Sequence, residues 1–116
     1  MHGKCWAKNL LTGADVLHIM LRVSSAVQES RNAYGKENVI LIDNGDLFQG
    51  TPVSEVHLFD DNHAENESEA MSLCLKEIGY DALVLGNHEF NYFWEKICSI
   101  TEDLREGNVA VLAANA

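Results

Sequence analysis

Asp81-Ala82-Leu83-Val84-Leu85-Gly86-Asn87-His88-Glu89-Phe90-Asn91-Tyr92 is the stretch on which the fold turns. Its first half is a short apolar run of strand length, ended by a glycine, and reads as a buried strand. Its second half places an Asn and a His just past the strand's carboxyl end, where open α/β sheets bind ligands. An Asn side-chain oxygen can ligate a hard cation, and a neighbouring His can hold or move a proton at an anionic substrate. Upstream, Val39-Ile40-Leu41-Ile42 runs into Asp43-Asn44-Gly45-Asp46-Leu47-Phe48-Gln49-Gly50, a second apolar run ending in polar and glycine residues. If the two strands are parallel, both tips lie on one rim. Asp46, Asn87 and His88 then converge although they are far apart in sequence, as a metal-assisted site requires.

Outward from these runs, helix and strand patterns alternate. Val16, Ile19, Met20, Val23 and Val27 recur at helical spacing and predict an amphipathic helix from Asp15 to about Tyr34, with Thr12 as a cap and Gly35 as its stop. A strand over Asn38–Ile42 follows. The segment from Asp46 to Pro52 is turn-rich, and residues 53–66 read as a loop or insertion. Met71, Cys74, Leu75 and Ile78 predict a helix from about Ser68 to Ile78, stopped by Gly79. After the strand at 81–85, a helix is expected from about Tyr92 to Leu104, with Trp94, Ile97, Cys98 and Ile100 on its apolar side. Gly107 breaks that pattern, and Val109-Ala110-Val111-Leu112 reads as a third strand. The order α-β-α-β-α-β implies an α/β fold with a parallel sheet and right-handed crossovers.

Composition narrows the function classes. A chain of 116 residues with 47% hydrophobic and 22% charged residues is an ordinary globular domain, small for an α/β enzyme. The net charge of −10 excludes a nucleic-acid polymer surface, which needs clustered Lys and Arg. Between Lys36 and Lys76 there is no Lys or Arg, while Glu55, Asp60, Asp61, Glu65, Glu67 and Glu69 form an acidic stretch that reads as a solvated surface. Cys5, Cys74 and Cys98 are too widely spaced for a zinc ribbon and read as small hydrophobes in a reduced protein. No run approaches a membrane span, and Met1-His2-Gly3-Lys4 does not open like a signal peptide.

Gly45-Asp46 and Gly86-Asn87-His88-Glu89, each following an apolar run and in this order, resemble the second and third motifs of the calcineurin-like metallophosphoesterases. The longer forms, Asp43 to Pro52 and Gly86 to Tyr92, are similar to the nucleotidase branch and above all to bacterial 2′,3′-cyclic-nucleotide 2′-phosphodiesterase/3′-nucleotidases. Related 5′-nucleotidases usually carry Asp where Asn91 stands, and the bacterial group tends to carry Gly at the position of Phe93. Leu112-Ala113-Ala114-Asn115 also resembles the segment after the next strand in both groups.

The resemblance implies that residues 1–116 are the N-terminal portion of a four-layer α/β/β/α catalytic domain. His2 resembles the His of the family's first Asp-x-His-Gly motif, whose Asp is not in the sequence. A later Gly-His-x-His element is also not in it, and His18, His57 and His63 do not replace it. The implied chemistry is phosphoester hydrolysis on nucleotides, with two divalent ions (Mn, Zn, Fe or Mg) activating water. In that scheme Asp46 bridges both ions, Asn87 ligates one, and His2 belongs to the shell of the other. His88 faces the phosphate as the catalytic group, and Asn91 is expected near the substrate. Glu89 is expected to support the site and not to act as a base. The competing expectation is a catalytically incomplete remnant or interaction module that keeps half of the fold, with self-association through its truncated sheet. By resemblance, relatives are commonly periplasmic, cell-wall or extracellular.

Overall fold

The computed structural model describes residues 7–8, 11–13, 15–16, 19–51 and 70–113. His2, Cys5, His18, His57, His63, Ser68 and the expected loop at 53–66 lie outside the described residues, as do Ala114 and Asn115 of the last motif. The elements in chain order are β1 (Ala7–Lys8), β2 (Asp15–Val16), α1 (Ile19–Tyr34), a 3₁₀ turn (Lys36–Asn38), β3 (Ile42–Asp43), α2 (Ala70–Ile78), β4 (Ala82–Val84), a second 3₁₀ turn (Glu89–Asn91), α3 (Trp94–Glu106) and β5 (Ala110–Leu112).

The central sheet is the expected one. Strands β3, β4 and β5 lie in that spatial order and pair in parallel, with Asp43, Leu83 and Val111 in one register row and Ile42, Ala82 and Ala110 in the next. Leu83 is fully buried and joins Met20, Leu47, Phe48, Met71, Leu75, Ile97, Ile100, Leu104 and Val109 in one core, against which Val111 packs. In the next row Ala82 is buried but Ile42 is 55% exposed, and Ile40 before it and Leu112 on β5 are open at 78% and 47%. Strand β3 is shorter than the apolar run Val39–Ile42 predicts. The Asp81 carboxylate accepts the Leu41 N–H at 2.7 Å, so a side chain takes that donor, while the Leu41 C=O accepts the backbone N–H groups of Asp81 at 2.9 Å and Ala82 at 3.4 Å.

Helices α2 and α3 end in the same way. At α2, Gly79 adopts φ 77°, Tyr80 N–H donates to Leu75 C=O and Gly79 N–H to Lys76 C=O, a Schellman closure. Arg31 of α1 adds two bonds from its guanidinium, to Ile78 C=O at 2.6 Å and to Gly79 C=O at 2.5 Å. At α3 the left-handed residue is Asn108, at φ 61°, with Val109 N–H on Leu104 C=O and Asn108 N–H on Arg105 C=O. The break expected at Gly107 is therefore made one residue later, by the residue type that best tolerates this conformation after glycine. Each closure delivers the chain directly into a strand, β4 or β5.

Four expectations need correction. Asp15 and Val16 do not begin the first helix; they form β2, paired antiparallel with β1 as Ala7↔Val16 and Lys8↔Asp15. Thr12 accordingly lies in the hairpin turn and does not cap α1; Gly13, at φ 66°, permits that turn. The third helix starts at Trp94, because residues 89–91 form a separate 3₁₀ turn and Tyr92 is extended and buried. Trp94 is 66% exposed, outside the buried stripe of Ile97, Ile100 and Leu104. Cys74 and Cys98 are not joined in a disulfide and are only partly buried. Among the described residues no helix is long and apolar enough to cross a membrane.

Candidate functional site

The parallel register brings the tips of β3 and β4 together, and two glycines let them touch. A Cβ on Gly45 would lie 2.6 Å from Val84 C=O and 2.7 Å from the Gly86 Cα; one on Gly86 would lie 2.6 Å from Asp46 N. Ordinary contacts between such atoms are about 3.5 Å or more, so only hydrogen fits at either position. Gly45 also sits at φ 85° and Asp46 at φ 55°, two successive left-handed residues that turn the chain sharply off β3.

That turn gathers the predicted residues. The Asp46 carboxylate accepts the His88 N–H at 2.9 Å, which ties the first motif to the second across 42 positions of sequence. Asn87 stands between Gly86 and His88 with its side chain exposed. His88 Nδ1 is 2.5 Å from Gln49 Oε1, and the Asn91 amide donates to the same oxygen at 2.8 Å while lying 3.1 Å from Nδ1. Gln49 Oε1 can only accept, so the shorter contact puts the ring proton on Nδ1. In the neutral ring, Nε2 is then the nitrogen that can take a proton, and it becomes a donor when the ring is charged. Four of the five predicted residues, Asp46, Asn87, His88 and Asn91, thus share one rim; His2 lies outside the described residues.

Two further residues organise this rim. Gln49, a polar residue of the Asp43 to Pro52 motif, fixes the tautomer of His88. Glu89, 3% exposed, accepts N–H bonds from Asp46 and Gly86 on Oε2, both at 2.8 Å. Its Oε1 accepts from Leu47 at 2.7 Å and Phe48 at 3.3 Å. The expectation that Glu89 supports the site agrees with these bonds. Its place in the same motif as Asn87 and His88 was the available signal.

Asp43, at the end of β3, accepts the Gly45 N–H at 3.0 Å, an Asx turn that starts the bend. Burial lifts its carboxyl above the ordinary value, with the Glu89 charge adding and the Gly45 hydrogen bond opposing. The Tyr80 hydroxyl is likewise raised, first by burial and then by the Asp43 charge.

A hard divalent cation would find oxygen donors of the right kind here, the Asp46 carboxylate and the Asn87 carboxamide. They are part of a ligand set and not a whole one: among the described residues no three His, Cys, Asp or Glu side chains are grouped to hold a metal. His88 contributes nothing through Nδ1, which is engaged with Gln49.

Comparison with known family models returns no match. Individual proteins do match. The chain is 37% identical over 71 residues to the 2′,3′-cyclic-nucleotide 2′-phosphodiesterase/3′-nucleotidase of Haemophilus influenzae, covering 61% of this chain and 10% of that protein. It is 36% identical over 76 residues to the trifunctional nucleotide phosphoesterase YfkN of Bacillus subtilis, covering 63% of this chain and 5% of that one. A bovine 5′-nucleotidase is 33% identical over 94 residues, 81% of this chain and 14% of that enzyme. The chain thus spans about a tenth of the length of the curated relatives it matches. The crystal structure of the calcineurin-like phosphoesterase YfkN superimposes with a TM-score of 0.70 at 25% identity, over 96% of this chain and 33% of that one. By fold and by sequence, the chain is a portion of a calcineurin-like phosphoesterase domain, of the branch that includes the nucleotidases.

Proposed function

We propose that the chain supplies one half of the active site of a metal-dependent phosphoester hydrolase that, in complete form, acts on 2′,3′-cyclic nucleotides or nucleoside monophosphates. The observation that carries this reading is the joined rim: Asp46, Asn87 and His88 at adjacent strand tips, held together by the Gly45–Gly86 approach and the Asp46–His88 bond. The relatives' names, nucleotide phosphodiesterase and nucleotidase, support the substrate class.

The Asp46 carboxylate and the Asn87 carboxamide oxygen are the groups that would hold divalent ions. When bound, such ions polarise the phosphoester and make a nearby water more acidic. His88 is oriented for the protein's own part. With Nδ1 fixed on Gln49, the charged ring donates from Nε2 to a phosphoryl oxygen that gathers charge or to the leaving oxygen. Asn91, half of the brace on Gln49, is the residue proposed to meet the substrate as well.

Variants of the complete domain test the division of labour. His88→Ala should lower kcat by about 10²–10³ with metal content nearly unchanged, since it removes a group that acts on the transition state. Asp46→Ala should lose metal, and Asn87→Ala should deplete mainly one ion. Metal analysis beside kinetics decides it: loss of metal in His88→Ala with retention in Asp46→Ala would overturn the assignment. The 116-residue chain alone, with manganese and bis(p-nitrophenyl) phosphate, should turn over poorly, because part of the ligand set is not in it.

A further inference from the structure

Glu89 is a buried carboxylate whose charge faces no cation among the bonds it makes, and that is costly unless hydrogen bonds replace its water. Phe48, Leu83, Tyr92, Ile97 and Leu104 share a cavity wall with it, so the surroundings offer little solvation. What offsets the cost is backbone. The N–H groups of Asp46, Leu47 and Phe48 converge on it from one motif and that of Gly86 from the other. Successive N–H groups after a left-handed bend form a concavity that binds anions. In many proteins such a nest takes a phosphate; here a side chain of the same molecule occupies it.

The consequence is mechanical. Oε2 bonds Asp46 N–H and Gly86 N–H at the same 2.8 Å, so one oxygen atom spans the two tips. Those donors belong to one metal-holding candidate and to the residue preceding the other. Bonds from N–H groups to a charged acceptor are roughly twice as strong as neutral ones. Separating the tips would break bonds at a site where water cannot replace them.

We infer that Glu89 is a positioning residue for the cation site. By filling the nest of residues 46–48 with its own carboxylate and bonding Gly86, it sets the separation of Asp46 and Asn87 at which both can ligate one ion. This rests on the proposed function above, and it adds that the loop at 46–48 is closed to the substrate phosphate.

Paramagnetic broadening of amide signals by Mn²⁺ tests it in this chain without any assay of activity. In the unsubstituted chain, Mn²⁺ should broaden amides centred on residues 46 and 86–88. In Glu89→Gln the carboxamide turns an N–H toward one pair of donors, so the fold should persist by circular dichroism while the amides of residues 46, 47 and 86 shift upfield. Equal broadening should then need at least tenfold more Mn²⁺. Glu89→Asp keeps the charge but falls short in reach and should give an intermediate requirement; it serves the same comparison if Glu89→Gln does not fold. Lys76→Ala, which removes the 2.7 Å ion pair to Asp103 between α2 and α3, controls for general destabilisation and should leave Mn²⁺ binding unchanged. Equal Mn²⁺ requirement in both Glu89 variants and the unsubstituted chain overturns the inference and leaves the proposed function standing. Absence of broadening around residues 46 and 87 in the unsubstituted chain overturns both. A loss matched by Lys76→Ala reduces Glu89 to a purely structural group and overturns the inference alone.

Discussion

Replacing Gly45 by Ala should separate two costs that usually arrive together. The first is conformational: at φ 85° an alanine pays about 1–2 kcal/mol for crowding between its Cβ and the backbone. The second is contact. The new methyl would stand 2.6 Å from Val84 C=O and 2.7 Å from the Gly86 Cα, so the tips must part by roughly 1 Å to restore an ordinary separation of about 3.5 Å. Both obstacles are backbone atoms of a neighbouring strand and cannot swing aside as a side chain could. Overpacking of this kind costs about 1–3 kcal/mol. The sum, about 2–5 kcal/mol, is a large part of the stability of a domain of this size, roughly 6–17 kcal/mol. Gly13→Ala provides the comparison: Gly13 has φ 66° but nothing within 4 Å of its would-be Cβ, so it isolates the conformational cost. Urea unfolding should show both midpoints lowered with unchanged m-values, Gly45→Ala by about 1–3 kcal/mol more than Gly13→Ala. Equal losses at the two glycines would refute the close approach of the tips.

Two further outcomes follow from single side chains. Arg31→Ala removes both guanidinium bonds to the end of α2 and should cost about 2 kcal/mol, read as a lower melting temperature; an unchanged melting temperature would show that water replaces the guanidinium at those carbonyls. Because burial raises the Asp43 carboxyl above its ordinary 3.8, the native chain holds a proton that the unfolded chain releases within the window between the two values. Stability contributed at Asp43 therefore falls as pH rises through that window, and the penalty is complete above the folded value. Asp43→Asn keeps an acceptor for Gly45 N–H and should gain on the native chain in urea midpoint from about pH 4 to about pH 7, whereas parallel pH profiles would contradict it.

The parallel sheet and its rim were legible because apolar runs and strand-tip motifs are local signals. Leu83 is buried, and Asp46 bonds His88 across adjacent strand tips, as the runs and their endings implied. What stayed hidden was decided by contacts between distant segments. Val16 fits a helical stripe as well as a strand, and only its pairing with Ala7 resolves the choice. At the start of β3 the Leu41 N–H is taken by the side chain of Asp81, 40 positions away. Trp94 fits the helical period, yet the core stops short of it. Gln49 belongs to the motif after β3, yet its bearing on His88 exists only once β3 and β4 are neighbours.

The meeting of Gly45 and Gly86 also has an evolutionary reading. Two positions 41 apart in sequence are each crowded by the opposite strand tip, Gly45 by Val84 and Gly86 and Gly86 by Asp46, so natural selection meets them as one character. A side chain tolerated at either would first demand a wider gap, and a wider gap would release Glu89 from one of its two motifs. In an alignment of relatives, the pair should therefore be kept together or lost together, and lineages that abandon one should be free to vary at Glu89 as well.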